Sequence, residues 1–188
     1  IANGLPSFDI VGLATVAVKE AKERVRTAVK NSGLAFPVRR ITVNLAPADM
    51  KKEGAALDLP IAVALLVSSG QIAPESCEDS VFIGELSLDG LIRPTVGVLS
   101  MVIAAKERGM RPVYVRPENG DEALLCEGIT VYEAETFAVL ADHLRKTHCL
   151  SPSSANLLQE EDQSYHHDFS EVQGQAVDKR VMETAAAG

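Results

Sequence analysis

Residues 57–69, LDLPIAVALLVSS, would place apolar side chains on every side of a helix. A helix with one wet face shows polar residues at a 3.6-residue period, whereas one that is apolar all round must be covered by other elements. This run does not read as a membrane span, because Asp58 and Pro60 interrupt it and it falls short of the roughly 18–20 residues a bilayer demands. The chain therefore has to build a layered core around a central helix. Its 188 residues, 46% of them hydrophobic, suffice for one such core and a tail.

The flanking segments supply the layers. Ser7 to Gly12 is β-like, and residues 14–31 space Val18, Ala21, Val25 and Ala28/Val29 at helical intervals, closed by Gly33. RRITVNL at 39–45 alternates as a strand, residues 46–55 form a loop, and Gly70 ends the central helix. Residues 81–88 are predicted as one strand, Asp89-Gly90 as a hairpin turn, and 91–93 as the returning strand. A helix over 99–108, a strand over 112–115, a short helix over 121–126, a strand over 129–132 and a last amphipathic helix over 136–146 complete the alternation. This is the pattern of an α/β (α+β) domain spanning 1–146. Residues 147–167, rich in Ser, Asn, Gln, Glu and Asp, cannot offset ordering entropy by burial and read as a flexible linker. Regularity returns over 168–188, with a helix expected at 174–187.

Three scattered cysteines, Cys77, Cys126 and Cys149, argue for a reducing compartment, so the cytoplasm is expected and no membrane partner. His143, His148, Cys149 and the His166-His167 pair have spacings unlike zinc ligand sets, and no metal site is expected. The net charge of −8 speaks against a nucleic-acid partner until its distribution is considered: residues 1–52 carry nine Lys/Arg against four Asp/Glu. Lys19, Lys22, Arg26, Lys30, Arg39, Arg40, Lys51 and Lys52 are therefore candidates for neutralising phosphates. The competing reading is that the 14–31 helix wears ordinary solvated charges, with Glu20-Arg24 and Lys19-Glu23 paired four residues apart. Lys51-Lys52 sits on the 46–55 loop, where either reading holds. Phe8 and Phe36 look like core residues, so base stacking is not expected.

GELSLDGLIRP (84–94), LDLP (57–60) and RPEN (116–119) together resemble the Lon-protease-like fold, also described as the ribosomal protein S5 domain 2-like fold. NGLPSFDIVGL (3–13), RITVNLAPADMKKEG (40–54) and LDLPIAVALLVSSGQI (57–72) are similar to the front domain of the ComM/YifB family of Mg-chelatase-like AAA+ ATPases. The resemblance implies that the first strands of the domain are missing here, leaving a sheet edge exposed. It also implies a parent that forms a ring, a hexamer, and works as a DNA branch-migration helicase in natural transformation.

Lon-type peptidases pair a Ser nucleophile with a Lys base. The resemblance places Ala56 at the Ser position and Leu99 at the Lys position, so no peptidase chemistry is expected. Residues 168–188 resemble the opening of an AAA+ core, where Val172, Gly174 and Gln175 would edge the nucleotide pocket. No G-x-x-x-x-G-K-[ST] phosphate loop occurs in the chain, so no cofactor is expected for it, while the parent would use ATP and Mg2+. The expected function is a non-catalytic accessory domain that engages single-stranded or branched DNA and organises the ring. The alternatives are a protein-interaction module and a Ser-Lys peptidase.

Overall fold

The computed structural model describes residues 1–12, 16–46, 56–154 and 175–186, apart from a few side chains within helices. The chain divides into two compact units, Ile1–Ala155 and Asn156–Gly188. In the first, strand β1 (Ser7–Val11) and helix α1 (Val16–Asn31) lead to β2 (Arg40–Asn44), and helix α2 (Asp58–Ser68) follows. Then come β3 (Val81–Phe82), β4 (Glu85–Leu86), β5 (Ile92–Arg93), α3 (Val98–Glu107), β6 (Val113–Val115), α4 (Gly120–Leu124), β7 (Val131–Glu133) and α5 (Phe137–Leu144). The second unit contributes α6 (Ala176–Ala186), on which Val177, Val181 and Met182 are exposed.

Among the described residues three small sheets carry the strands. β1 and β2 pair in parallel with Ser7 opposite Arg40. β3, β6 and β7 form a parallel sheet in the order β3-β6-β7, and β4-β5 is an antiparallel hairpin. Side chains alternate across a strand, so the three-stranded sheet separates two cores. Val113, Val115 and Val131 face α3 and α4, beside Val98, Val102 and Ala123. Tyr114, Tyr132 and Phe82 face the larger core, which holds α1, α2 and α5. The central helix is covered as its composition demanded: Leu59, Ile61, Ala62, Val63, Leu65 and Leu66 are buried and only Ala64 among its middle residues is exposed.

Two expectations need correction. Residues 81–88 do not form one strand; they divide at Ile83-Gly84 between two sheets. The Gly84 carbonyl accepts the amide of Leu59, the second residue of α2, at 3.3 Å. A Cβ on Gly84 would lie 2.6 Å from a methyl of Ile92 and 3.3 Å from a methyl of Leu59, so a glycine lets the chain pass closely between β5 and α2. The hairpin turn itself forms, with the Asp89 carboxylate accepting from the Ser87 hydroxyl and from the Leu91 amide.

The packed unit also extends beyond Lys146, where the linker was expected to begin. Leu150 packs on the larger core, the Leu150 amide donates to His143 Nδ1 at 2.9 Å, and the Ser153 amide donates to the Val131 carbonyl at 2.8 Å. Polar composition concealed this because the ties run through backbone amides and a single leucine. Residues 155–167 lie outside the described residues.

His143 makes this return segment sensitive to pH. Because Nδ1 accepts the Leu150 amide, the ring proton belongs on Nε2, which lies 3.2 Å from the Tyr114 hydroxyl. Burial pushes the His143 pKa down and the Tyr114 phenol up to about 12. The unfolded chain therefore binds a proton at a higher pH than the folded one, and stability falls as pH drops from about 6.5 through the folded pKa. Urea midpoints measured across that window should decline in the parent and flatten in His143→Gln. Parallel profiles would refute this assignment.

Candidate nucleic-acid interface

Helix α1 buries Val18, Ala21, Val25, Ala28 and Val29 on one stripe, which leaves Lys22, Arg26 and Lys30, spaced four apart, on a neighbouring face. The chain leaves the helix at Gly33, with φ of +72°, and runs back alongside it. Gln71 fixes that return: its side-chain carbonyl accepts the Ala35 amide at 3.1 Å and its amide donates to the Ala35 carbonyl at 2.7 Å. Gln71 is held in turn by Arg145, whose Nε donates to the Gln71 main-chain carbonyl at 3.0 Å.

This clamp brings Phe36 and Arg39 beside α1. The Phe36 ring lies 5.7 Å from that of Phe8 on β1, tilted by 47°, and the Arg26 guanidinium sits over Phe36, 5.7 Å from its centre. A groove opens there, lined by Phe8, Arg26, Lys30, Phe36 and Arg39, with Pro6, Ser7, Pro37 and Val38 completing its wall. Among the described residues no carboxylate lines it. In a chain of net charge −8, three cations converging on one groove invert the local sign.

The other expected cations fare differently. Lys22 is drawn to Asp9 at 3.6 Å, an exposed pair that contributes little stability and partly cancels its charge. Arg40 is exposed at the start of β2, its backbone bridging Ala2 at 2.9 and 3.2 Å. The side chain of Lys19, and Lys51 and Lys52 altogether, lie outside the described residues. Phe8 and Phe36 pack against the large core as expected, and being half-buried they also form the groove. A sequence pattern could not have revealed it, since the rings come from segments that meet only through the β1-β2 pairing.

Arg24, expected to pair with Glu20, reaches the opposite flank of α1. Its Nε and Nη2 contact the two oxygens of Asp58 at 2.7 and 3.1 Å. Asp58 is fully buried at the start of α2, and its Oδ2 also accepts the Leu86 amide at 3.4 Å. The bond to Asp58 raises the Arg24 pKa above its usual value. One carboxylate thus ties α1, α2 and the hairpin together.

Ala56 lies in the turn just before α2, half-buried. Leu99 is the second residue of α3; its side chain packs on the smaller core and its amide donates to Glu122 Oε1 at 3.0 Å. The RPEN segment holds this end of α3. Arg116 donates to the carbonyls of Ile92 and Glu135 at 2.9 and 3.1 Å, and Asn119 exchanges two 2.9 Å bonds with the Thr95 backbone. The Ser69 hydroxyl is engaged locally with the Leu66 carbonyl, and that of Ser87 with Asp89 and the Leu91 carbonyl. Of the expected nucleotide-pocket residues, Val172 and Gly174 lie outside the described residues, and Gln175 is exposed just before α6 with φ of +51°. Among the described residues no group of three His, Cys, Asp or Glu could hold a metal ion, and no helix is long and apolar enough to cross a membrane.

Residues 1–119 match the family model described as subunit ChlI of Mg-chelatase. Over its whole length the chain is 39% identical to the protein YifB of Escherichia coli and 36% identical to the competence protein ComM of Haemophilus influenzae. It spans 37% of the length of each. A weaker similarity, 27% identity over 128 residues, links 67% of the chain to 22% of Lon protease 2 of Bacillus subtilis.

Proposed function

Because the chain belongs to the family of the Mg-chelatase subunit ChlI, we propose that it is a non-catalytic accessory domain of a larger ring-forming AAA+ ATPase, and that it grips DNA. The observation that carries this reading is the groove of Arg26, Lys30 and Arg39, with no carboxylate among its described lining residues, in a chain of net charge −8. Phosphates are the partner such a site attracts, and releasing their counterions would drive binding. The name of the competence protein ComM, a relative over the whole chain, fits a role with DNA. The similarity to a Lon protease fits a Lon-like, S5 domain 2-like fold, with Ala56 and Leu99 standing where that chemistry would need a hydroxyl and an amine. The chemistry of the whole protein would then lie in a downstream ATPase core using ATP and Mg2+, which Val172, Gly174 and Gln175 would border. The Lon-like domain, expected over residues 1–146, would include the return segment as far as Ser153, and 168–188 would be the start of that core, in a cytoplasmic protein that assembles as a ring.

The test is binding of the 188-residue chain to fluorescent DNA at several salt concentrations. Lys30→Glu/Arg39→Glu should weaken it at least tenfold at low salt and reduce the salt slope by about two. Unaltered affinity would reject the groove. In the whole protein, Lys51→Glu/Lys52→Glu should lower DNA affinity and leave ATP hydrolysis without DNA nearly unchanged; equal DNA binding would remove those two residues from the reading.

A second reading, a protein-interaction module, is favoured by a shallow apolar depression lined by Pro60, Phe82, Met101, Ala104 and Met110. Met101 on its rim is 38% exposed, and methionine adapts readily to a partner surface. Absence of any salt-dependent DNA binding would favour it.

A further inference from the structure

Resting on the DNA reading above, we propose that the groove between α1 and the return segment is a subsite for one unpaired nucleotide, with Arg26 presenting its guanidinium face to the base. The Arg26 guanidinium lies over the Phe36 ring at 5.7 Å, and Phe36 is braced by Phe8 at 5.7 Å. An arginine held near an aromatic ring offers a planar cation, and such planes accept nucleobases as aromatic rings do. Lys30 and Arg39 line the same groove, within reach of the phosphates that flank a base bound there. Val38, 79% exposed on the rim, offers apolar surface to a sugar or a base edge.

A duplex cannot use this arrangement, because the faces of its bases are stacked on one another and only their edges are open, in the grooves. A single strand can present a base face and its phosphates at once. An acidic peptide would satisfy the cations and leave the Arg26-Phe36 platform without a planar partner. The chemistry therefore points to single-stranded nucleic acid.

Three probes separate these outcomes by fluorescence anisotropy at low salt: a short oligothymidylate, an abasic oligomer of equal length and charge, and a duplex. The oligothymidylate should bind about tenfold more tightly than the abasic strand and more tightly than the duplex. Arg26→Lys keeps the charge and removes the plane. Since Arg26 is exposed, this variant tests the platform without disturbing the core. It should lose the preference for thymidylate while binding the abasic strand as before. Equal binding of both single strands by the unmodified chain, or an unchanged preference in Arg26→Lys, would overturn this subsite and leave the DNA reading standing. Failure to bind any oligomer would overturn both. Displacement of the oligothymidylate by polyglutamate at equal charge would overturn the subsite in favour of an acidic peptide.

Discussion

Replacing Arg24 with alanine is expected to destabilise the first unit by about 3–5 kcal/mol, the range for removing one partner of a buried ion pair. The carboxylate it would abandon is fully buried and would keep only the Leu86 amide, at 3.4 Å. The Arg24 side chain is itself 21% exposed, so water can partly reach the vacated space and the lower half of that range is expected. Asp58→Ala should cost less, because the Arg24 guanidinium it releases is partly exposed and can hydrate. The double variant Arg24→Met/Asp58→Leu should recover most of the loss, since apolar groups of similar volume need no partner there. Urea unfolding of the four proteins tests this. A loss below about 1 kcal/mol in Arg24→Ala would mean that the carboxylate finds water or another donor. Because α1 also carries Arg26 and Lys30, loosening its tie to α2 should weaken DNA binding without altering any groove residue.

The second large effect is expected at Asn119. Its buried amide accepts the Thr95 amide and donates to the Thr95 carbonyl, both at 2.9 Å, as a neighbouring strand would. Asn119→Ala leaves both main-chain groups unpaired, at about 1–3 kcal/mol each, so a loss of about 2–4 kcal/mol is expected after partial relaxation. Asn119→Asp should not rescue it. The new carboxylate keeps the acceptor, loses the donor, and stands close to Glu122, whose oxygen lies 3.5 Å from the Asn119 nitrogen. Thermal unfolding of the two variants, together with hydrogen exchange at Thr95 and Leu99, reads the effect. Undiminished protection of the Thr95 amide in Asn119→Ala would sink it. Among the described residues the buried Thr95 hydroxyl has no hydrogen-bond partner.

Much of the architecture was legible before any coordinates. The 3.6-residue spacing of Val18, Ala21, Val25 and Ala28 marked α1 to within two residues, and the alternation of Ile41, Val43 and Leu45 marked β2. The apolar run of 57–69 announced a helix enclosed on all sides, and Asp89-Gly90 announced its hairpin. The division at Gly84 was not legible, because a short β-like run such as VFIGELSL reads the same whether one sheet or two receive it; the docking of α2 on the Gly84 carbonyl decides. Nor was the packing of residues 147–154, whose bonds to His143 and Val131 leave no mark in side-chain composition.

The candidate site divides along the same line. Local sequence determined that the front of the chain is basic and that Lys22, Arg26 and Lys30 share a helix face, because charge and helical period are properties of neighbours in the chain. Tertiary structure decided which charges act together. It turned Arg24 inward to Asp58, spent Lys22 on Asp9, and drew Arg26, Lys30 and Arg39 around Phe8 and Phe36. Those choices depend on which strand pairs with which and on the Gln71 clamp that returns the chain beside α1. Such contacts join residues tens of positions apart, and pairings at that range follow from the packing of the whole core, which no local period encodes.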